Sequence, residues 1–253
     1  MTVHFIGAGP GAADLITLRA QRLIATCGVC LYAGALIPEE VLTHAHPGAR
    51  IVDTRDLDLG AITEEMLAGD RAGHDIARLQ SGDLSIYSAV AEQVRRLEAR
   101  GVPWDMTPGV PAFAAAAAAL GRELTVPEVS QAVILARHGA RASKIPDGQR
   151  LADLAGAGAT VVVHLGTQAI EEIAMTLMNA YGRDCPVAVV ARVSHPDEIV
   201  IRGTATTIAA QVRRAGVRRT ATIIAGPALG AEGFRDSHLY STSRERQSPA
   251  PPR

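Results

Sequence analysis

The stretch Arg78-Leu-Gln-Ser-Gly-Asp-Leu-Ser-Ile-Tyr-Ser-Ala-Val-Ala-Glu-Gln93 decides the fold. Asp75-Ile-Ala-Arg-Leu79 alternates apolar residues and predicts a strand. Ser81-Gly82-Asp83 is turn chemistry. From about Ser88 the apolar spacing becomes helical, at Ala89, Val90, Val94 and Leu97. A strand, a Gly-Asp turn and a helix make one unit of an open α/β sheet, where ligands bind outside the carboxyl ends of strands. Gly82 allows close approach to backbone and Asp83 supplies an acceptor there. An ordinary βα turn whose Asp caps the helix gives the same pattern.

The same pattern recurs along the chain. Val3 to Gly7 reads as a strand. A helix from about Asp14 follows, with Asp14 as N-cap. Val29 to Ala33 and Arg50 to Asp53 read as strands, with a short helix begun at Pro38 between them. Ala61 to Ala72 is an amphipathic helix, Val102 to Thr107 a strand, and Pro108 to Ala112 turns into an alanine-rich helix ending at Leu120. Glu123 to Glu128 reads as a crossing, with Pro127 disfavouring helix before it. A second set follows: strands at Gln131–Arg137, Thr160–Leu165, Pro186–Val193, Ile199–Arg202 and within Val217–Ala225. Its helices are Leu151–Leu154, Ile170–Tyr181 closed by Gly182, and Thr207–Arg214. The expected organisation is two α/β domains in tandem, residues 1–123 and 124–240. A polar, proline-rich tail at 241–253 is expected to be disordered.

The 253 residues are 47% hydrophobic and 20% charged with net charge −1, which gives no basic excess for nucleic acid. Aromatics at 3% argue against base stacking. Lys144 is the only lysine among 25 basic residues, so cations are almost all arginine, which suits bidentate capture of carboxylates. No apolar run reaches membrane-spanning length. The first residues carry no basic region before an apolar core, which predicts no signal peptide and a cytoplasmic protein. Cys27-Gly-Val-Cys30 lacks a second pair and leads into a strand, so Cys27, Cys30 and Cys185 are expected to be structural thiols in a reducing compartment, and no metal is expected.

Gly7-Ala-Gly-Pro-Gly11 invites a dinucleotide reading, which the residues oppose. The glycines fall at alternate positions and Pro10 removes a donor that a phosphate would use. The next strand ends in Tyr32-Ala33-Gly34, without the acid that would hold a ribose.

Taken together, Gly7-Ala-Gly-Pro-Gly11, Ser81-Gly-Asp-Leu-Ser-Ile-Tyr87, Pro108-Gly-Val110, Arg202-Gly-Thr204 and Thr220-Ala-Thr-Ile-Ile-Ala-Gly226 resemble the tetrapyrrole methyltransferases that use S-adenosylmethionine. The resemblance covers about Val3 to Tyr240. Within the family it is nearest the branch that methylates C-11 of precorrin-4, on Tyr32-Ala-Gly-Ala-Leu36, Ala91-Glu-Gln93, Glu123 to Gln131, Pro186 to Val190 and Ser194 to Glu198. The branch that takes cobalt-containing substrate, or a non-catalytic nucleotide or tetrapyrrole binder, are the alternatives.

The resemblance implies a homodimeric enzyme of two α/β domains with the active cleft between them. It implies S-adenosylmethionine as cosubstrate, a tetrapyrrole as substrate, and neither nucleic acid nor membrane as partner. The donor would touch Ser81, Gly82, Asp83, Ile86, Pro111, Ala112, Leu165, Arg192, Val193, Thr220 and Ala221. The glycine loop with Gly9, Pro10 and Gly11 would face the tetrapyrrole. Carboxylates of that substrate call for cations, for which Arg55, Arg137, His138, Arg141, Lys144 and Arg192 are candidates. Two departures stand out: Leu84 replaces the proline that usually follows Gly-Asp, and Ala33 replaces an Asp of the uroporphyrinogen branch. The sequence names no general base.

Overall fold

The structure is a computed structural model, and it describes residues 1–138, 144–156 and 158–238. Arg141 and the 241–253 tail lie outside the described residues. The chain forms two compact units. The first comprises Met1–Leu120 with Val190–Val200 and Arg219–Thr222; the second comprises Gly121–Val189, Ile201–Arg218 and Ile223–Arg253. Both are α/β, as the sequence predicts.

The first unit holds β1 (Val3–Gly7), β2 (Val29–Tyr32), β3 (Arg50–Asp53), β4 (Ile76–Gln80) and β5 (Trp104–Thr107). They form one sheet in the order β3-β2-β4-β1-β5, with every neighbouring pair parallel. All carboxyl ends therefore share one edge. All five residues of β4 are buried, as a strand covered on both faces requires. On one face Val3, Phe5, Leu31 and Ile76 pack under α3 (Leu59–Arg71) and α4 (Val90–Glu98) through Met66, Leu67, Val90 and Leu97. On the other, Ile6, Cys30, Ala77 and Leu79 pack under α1 (Leu18–Thr26) and α2 (Glu39–Leu42) through Ala20, Ile24 and Val41. The period of two along each strand sorts these residues. The chain leaves β1 to cross β4 and reach β2. It leaves β4 to cross β1 in the other direction and reach β5. The β1/β4 pair is therefore the topological switch point, outside which open α/β sheets bind ligands.

Three boundaries differ from expectation. α1 begins at Leu18, not near Asp14; its N-cap is Thr17, whose Oγ1 accepts from Ala20 N at 3.1 Å. Asp14 sits in a single 3-10 turn and accepts no cap bond, because Ile16 is extended before the helix starts. Pro38 is the N-cap position of α2 and not its first turn. α4 begins at Val90, because Tyr87 and Ala89 both adopt left-handed backbone (φ 54°). The thiols are buried and free, and burial pushes Cys27 and Cys30 up to about 12, so they pack as small apolar groups.

The second unit carries α6 (Leu151–Leu154), α7 (Ile170–Tyr181) and α8 (Ile208–Arg214). Its sheet has the order β6-β7-β10-β8-β9, from β6 (Val133–Arg137), β7 (Thr160–His164), β8 (Pro186–Ala191), β9 (Ile199–Thr204) and β10 (Ala221–Ala225). β6 and β7 are parallel and β7 and β10 antiparallel. Val161, Val163, Ile173, Leu177, Val189 and Ile223 form its interior. Ser130 and Leu124 are tied to the start of β7 by Thr160, whose hydroxyl donates to Leu124 O at 2.7 Å and whose N–H donates to Ser130 Oγ at 3.1 Å. Gly182 closes α7 with φ 94°, and α5 (Ala112–Leu120) ends the unbroken part of the first unit.

Candidate active site

Three turns meet at the carboxyl edge, after β1, β4 and β5. Gly82 N donates to Gly9 O at 2.7 Å and Gly9 N to Gly82 O at 3.2 Å, a two-residue bridge across the switch point. Both polar groups of the Gly82 peptide are thus used inside the protein. Gly82 is buried, and its bare Cα, held at φ 70°, faces the turn after β5. A Cβ there would lie 3.6 Å from Ala112 N and 3.8 Å from Pro111 Cα, so three expected donor residues are neighbours. Gly7 and Gly109 pack backbone on backbone: a Cβ on Gly7 would fall 2.5 Å from Gly109 N.

Asp83 fastens the β4 and β5 turns. Its Oδ2 accepts Gly109 N at 2.8 Å; its Oδ1 accepts Ser85 N at 2.9 Å and the Ser85 hydroxyl. Partial burial alone would raise its carboxyl. The Ser85 hydroxyl and the N–H groups of Ser85, Gly109 and Leu84 outweigh that and hold it below the usual carboxylate range. The helix-cap reading does not hold, since α4 starts at Val90.

Beneath these turns lies Arg78, only 4% exposed and without a carboxylate partner among the described residues. Its Nε donates to Gln93 Oε1 and its Nη1 to Thr54 Oγ1, both at 3.1 Å. Gln93 Nε2 donates on to Ala89 O and Thr54 Oγ1 to Tyr32 O, each at 2.9 Å. One guanidinium therefore ties the ends of β2 and β3 to the strained entry of α4. Burial lowers its pKa to about 10, a shift that disfavours the charged form by roughly 3 kcal/mol. Arg78→Met is expected to relieve that cost while losing two hydrogen bonds of about 1 kcal/mol each. Stability in urea should stay within about 1 kcal/mol of the parent, with donor affinity down a few-fold as the turns loosen. A stability loss above about 3 kcal/mol would show that the fold compensates this charge and would sink the argument.

The segment that follows β8 belongs to this unit. Arg192 and Ser194 have φ of 47° and 63°, and Thr220, at the start of β10, has φ 55°. Arg192 N donates to Thr220 O at 2.8 Å, which brings Arg192, Val193, Thr220 and Ala221 together. Ser194 Oγ accepts Ala12 N at 3.0 Å, and the His195 ring rests on Gly11, where a Cβ would lie 2.4 Å from its Cδ2. Among the described residues, seven non-glycine residues have positive φ: Tyr87, Ala89, Glu128, Leu165, Arg192, Ser194 and Thr220. Three of these are expected donor residues, and Tyr87 follows a fourth, Ile86. Backbone strain of order 1–3 kcal/mol per residue gathers where a function holds it. Leu165, just past β7 in the second unit, is both left-handed and 64% exposed, an unusual place for a large apolar side chain.

The expected cations are mostly paired. Arg55 Nε donates to Asp53 Oδ2 at 2.8 Å. His138 Nε2 lies 3.4 Å from Glu172 Oε2. Arg192 Nε lies 2.5 Å from Asp197 Oδ2, an ion pair without hydrogen-bond alignment, and its Nη2 donates to Asp197 O at 2.9 Å. Arg137 is half-buried at the end of β6 beside His164, whose imidazole is held low by burial. Lys144 is exposed. An acid of the protein therefore stands against each of Arg55, His138 and Arg192. Sequence reasoning missed Arg78, Gly109 and the seating of Ser194 and His195 on the glycine turn.

Residues 2–209 match the family model described as Tetrapyrrole (Corrin/Porphyrin) Methylases. The chain is 60% identical to the precorrin-4 C(11)-methyltransferase of Rhodococcus erythropolis over 97% of this chain and 99% of that one. It is 37% identical to the cobalt-precorrin-4 C(11)-methyltransferase of Methanocaldococcus jannaschii over 97% and 95%. Among solved structures it resembles a cobalamin biosynthetic enzyme, cobalt precorrin-4 methyltransferase, with TM-score 0.87, 35% identity and coverage of 90% and 95%. It also resembles the uroporphyrin-III C-methyltransferase of Thermus thermophilus complexed with S-adenosylhomocysteine, with TM-score 0.76, 29% identity and coverage of 91% and 99%. With its parallel sheet, its locked glycine turns and these likenesses, the chain belongs to the tetrapyrrole methylase family.

Proposed function

We propose that the chain transfers the methyl group of S-adenosylmethionine to C-11 of precorrin-4, giving precorrin-5 in cobalamin biosynthesis. The observation that carries the reading is full-length identity of 60% to a methyltransferase named for that substrate, against 37% to one named for its cobalt form.

The carboxyl edge suits such a donor. Gly82, Pro111 and Ala112 leave a wall of backbone and small side chains, the kind of surface a nucleoside meets closely. Asp83, kept ionised by four donors, puts a negative charge at this edge, the sign a sulfonium favours. The sulfonium supplies an activated methyl with a neutral leaving group, so no acid is needed. The protein's part is positioning and water exclusion, which accounts for rigid turns and for few catalytic side chains. The exposed ion pair at Arg55 is weak enough, about 0–1 kcal/mol, to open toward a substrate carboxylate.

Calorimetry is expected to show S-adenosylhomocysteine binding and no NAD binding. Incubation of protein, donor with labelled methyl and precorrin-4 should give one added methyl, placed at C-11 by NMR. Absence of adenosylhomocysteine heat, or a methyl on another carbon, would overturn the reading.

A further inference from the structure

We propose that Gln93 is a positioning residue for the methyl transfer, holding the turn between Asp83 and α4 in the pose that receives the donor, a role that rests on the function just proposed. The backbone of that turn is unusual. Tyr87 and Ala89 both stand at φ 54°, a region that L side chains disfavour. Ala89 is the N-cap residue of α4, and its methyl group cannot make the side-chain bond that usually fastens a helix start.

Gln93 supplies a fastening from one turn further on. Its Nε2 donates back to Ala89 O at 2.9 Å, and its Oε1 accepts Arg78 Nε at 3.1 Å. The residue is 2% exposed, so water does not replace either bond. The nitrogen grips the turn and the oxygen grips the sheet. A carboxamide does both, whereas a carboxylate has no N–H and a hydrocarbon has neither group. The front of the turn is fastened separately. Asp83 Oδ1 accepts Ser85 N at 2.9 Å, and the Ser88 hydroxyl donates to Leu84 O. Between the two fastenings lie Ile86, an expected donor residue, and Tyr87, which is left-handed and 47% exposed. The segment after β4 is therefore shaped before any ligand arrives, at the edge where an open α/β sheet receives one.

Such shaping acts on binding and not on the chemical step. Without the bond to Ala89 the turn samples other poses, and part of the donor's binding free energy goes into reshaping it. KM for S-adenosylmethionine then rises, while the saturated enzyme has the turn back in place and keeps its kcat. Loss of a residue that only stabilises the fold has the opposite signature. The active fraction falls, so the apparent kcat drops and KM stays.

Gln93→Glu separates the two roles. The carboxylate keeps an acceptor for Arg78 Nε and sets an oxygen in place of the N–H that lies 2.9 Å from Ala89 O. The two oxygens repel and the turn is released, while the buried arginine gains an anionic partner. Methylation of precorrin-4 is expected to show KM for S-adenosylmethionine raised about tenfold and kcat within about twofold of the parent's, with a urea midpoint no lower than the parent's. Amide exchange across residues 85–90 should quicken in the free variant and return to the parental rate with adenosylhomocysteine bound. Gln93→Met, which lacks both groups, should raise KM to a similar extent and also lower the urea midpoint. Parental KM in Gln93→Glu, or a fall in kcat alone, would overturn the proposal and leave Gln93 as an anchor of Arg78. If Gln93→Glu does not fold, KM of Gln93→Met decides in the same way. A parent that binds no adenosylhomocysteine and methylates nothing would overturn the proposed function itself, a result distinct from these.

Discussion

Gly109→Ala is expected to lower stability by about 3 kcal/mol and adenosylhomocysteine affinity at least tenfold. The added Cβ would fall 2.2 Å from Gly82 O, 2.6 Å from Gly7 O and 2.7 Å from Gly7 C. All three are backbone atoms at the ends of central strands, so no rotamer gives relief. The β5 turn must move, and with it goes the 2.8 Å bond from Gly109 N to Asp83 or the register of the Gly9–Gly82 bridge. Overpacking costs about 1–3 kcal/mol and an unpaired buried N–H a similar amount, large beside a domain's total of about 5–15. Gly101→Ala is the control. Its φ is 65° but nothing lies within 4 Å of the new Cβ, so only the left-handed cost of about 1–2 kcal/mol applies. Denaturant midpoints of the two variants check the difference. If Gly109→Ala unfolds where Gly101→Ala does, the three turns are not locked as described.

The strands and helices were legible because each announces itself locally. Ile76 to Gln80 follows a turn and precedes a second one, and α7 ends at a glycine with φ 94°. The places where reading by residue type failed are non-local. Arg78 stands in an alternating strand as though it faced water, but α4 covers that face and Gln93 receives the guanidinium. Gly7 and Gly109 look like ordinary turn glycines until the sheet order sets their strands side by side. Tyr87 and Ala89 carry no composition signal for left-handed backbone, so the helical spacing read from about Ser88 starts two residues before α4. Ser194 and His195 meet Ala12 and Gly11 across 182 or more residues of chain. In contrast, Asp53 beside Arg55 and Asp197 near Arg192 were within local reach, and the pairings follow from opposite charges a few residues apart. The rejection of a dinucleotide site rested on chemistry that the turn geometry also opposes: the peptide N–H of Gly9 is spent on Gly82.

Asp83 separates fastening from mere turn formation. Its two oxygens serve different elements: Oδ1 closes the local turn through Ser85, and Oδ2 holds Gly109 of the next turn. Asp83→Ala loses both, and donor affinity is expected to fall about ten- to a hundredfold, the value of one charge-assisted hydrogen bond at ~1.5–3 kcal/mol. Asp83→Asn can keep only one, because its amide presents a single oxygen and its NH2 cannot accept from Gly109. The local turn should persist while Gly109 is released, so Asn should resemble Ala in adenosylhomocysteine affinity. The pH dependence has a fixed sign. Donors hold the folded carboxyl below the unfolded value of 3.8, so its stabilisation is complete above that value and is lost as pH falls through the folded one. Parent and Asp83→Asn should therefore differ most in urea midpoint near neutrality and converge as the medium becomes more acid than the unfolded value. Equal affinity in Asp83→Asn and parent, with no convergence, would mean that Oδ2 and Gly109 do not fasten the donor wall.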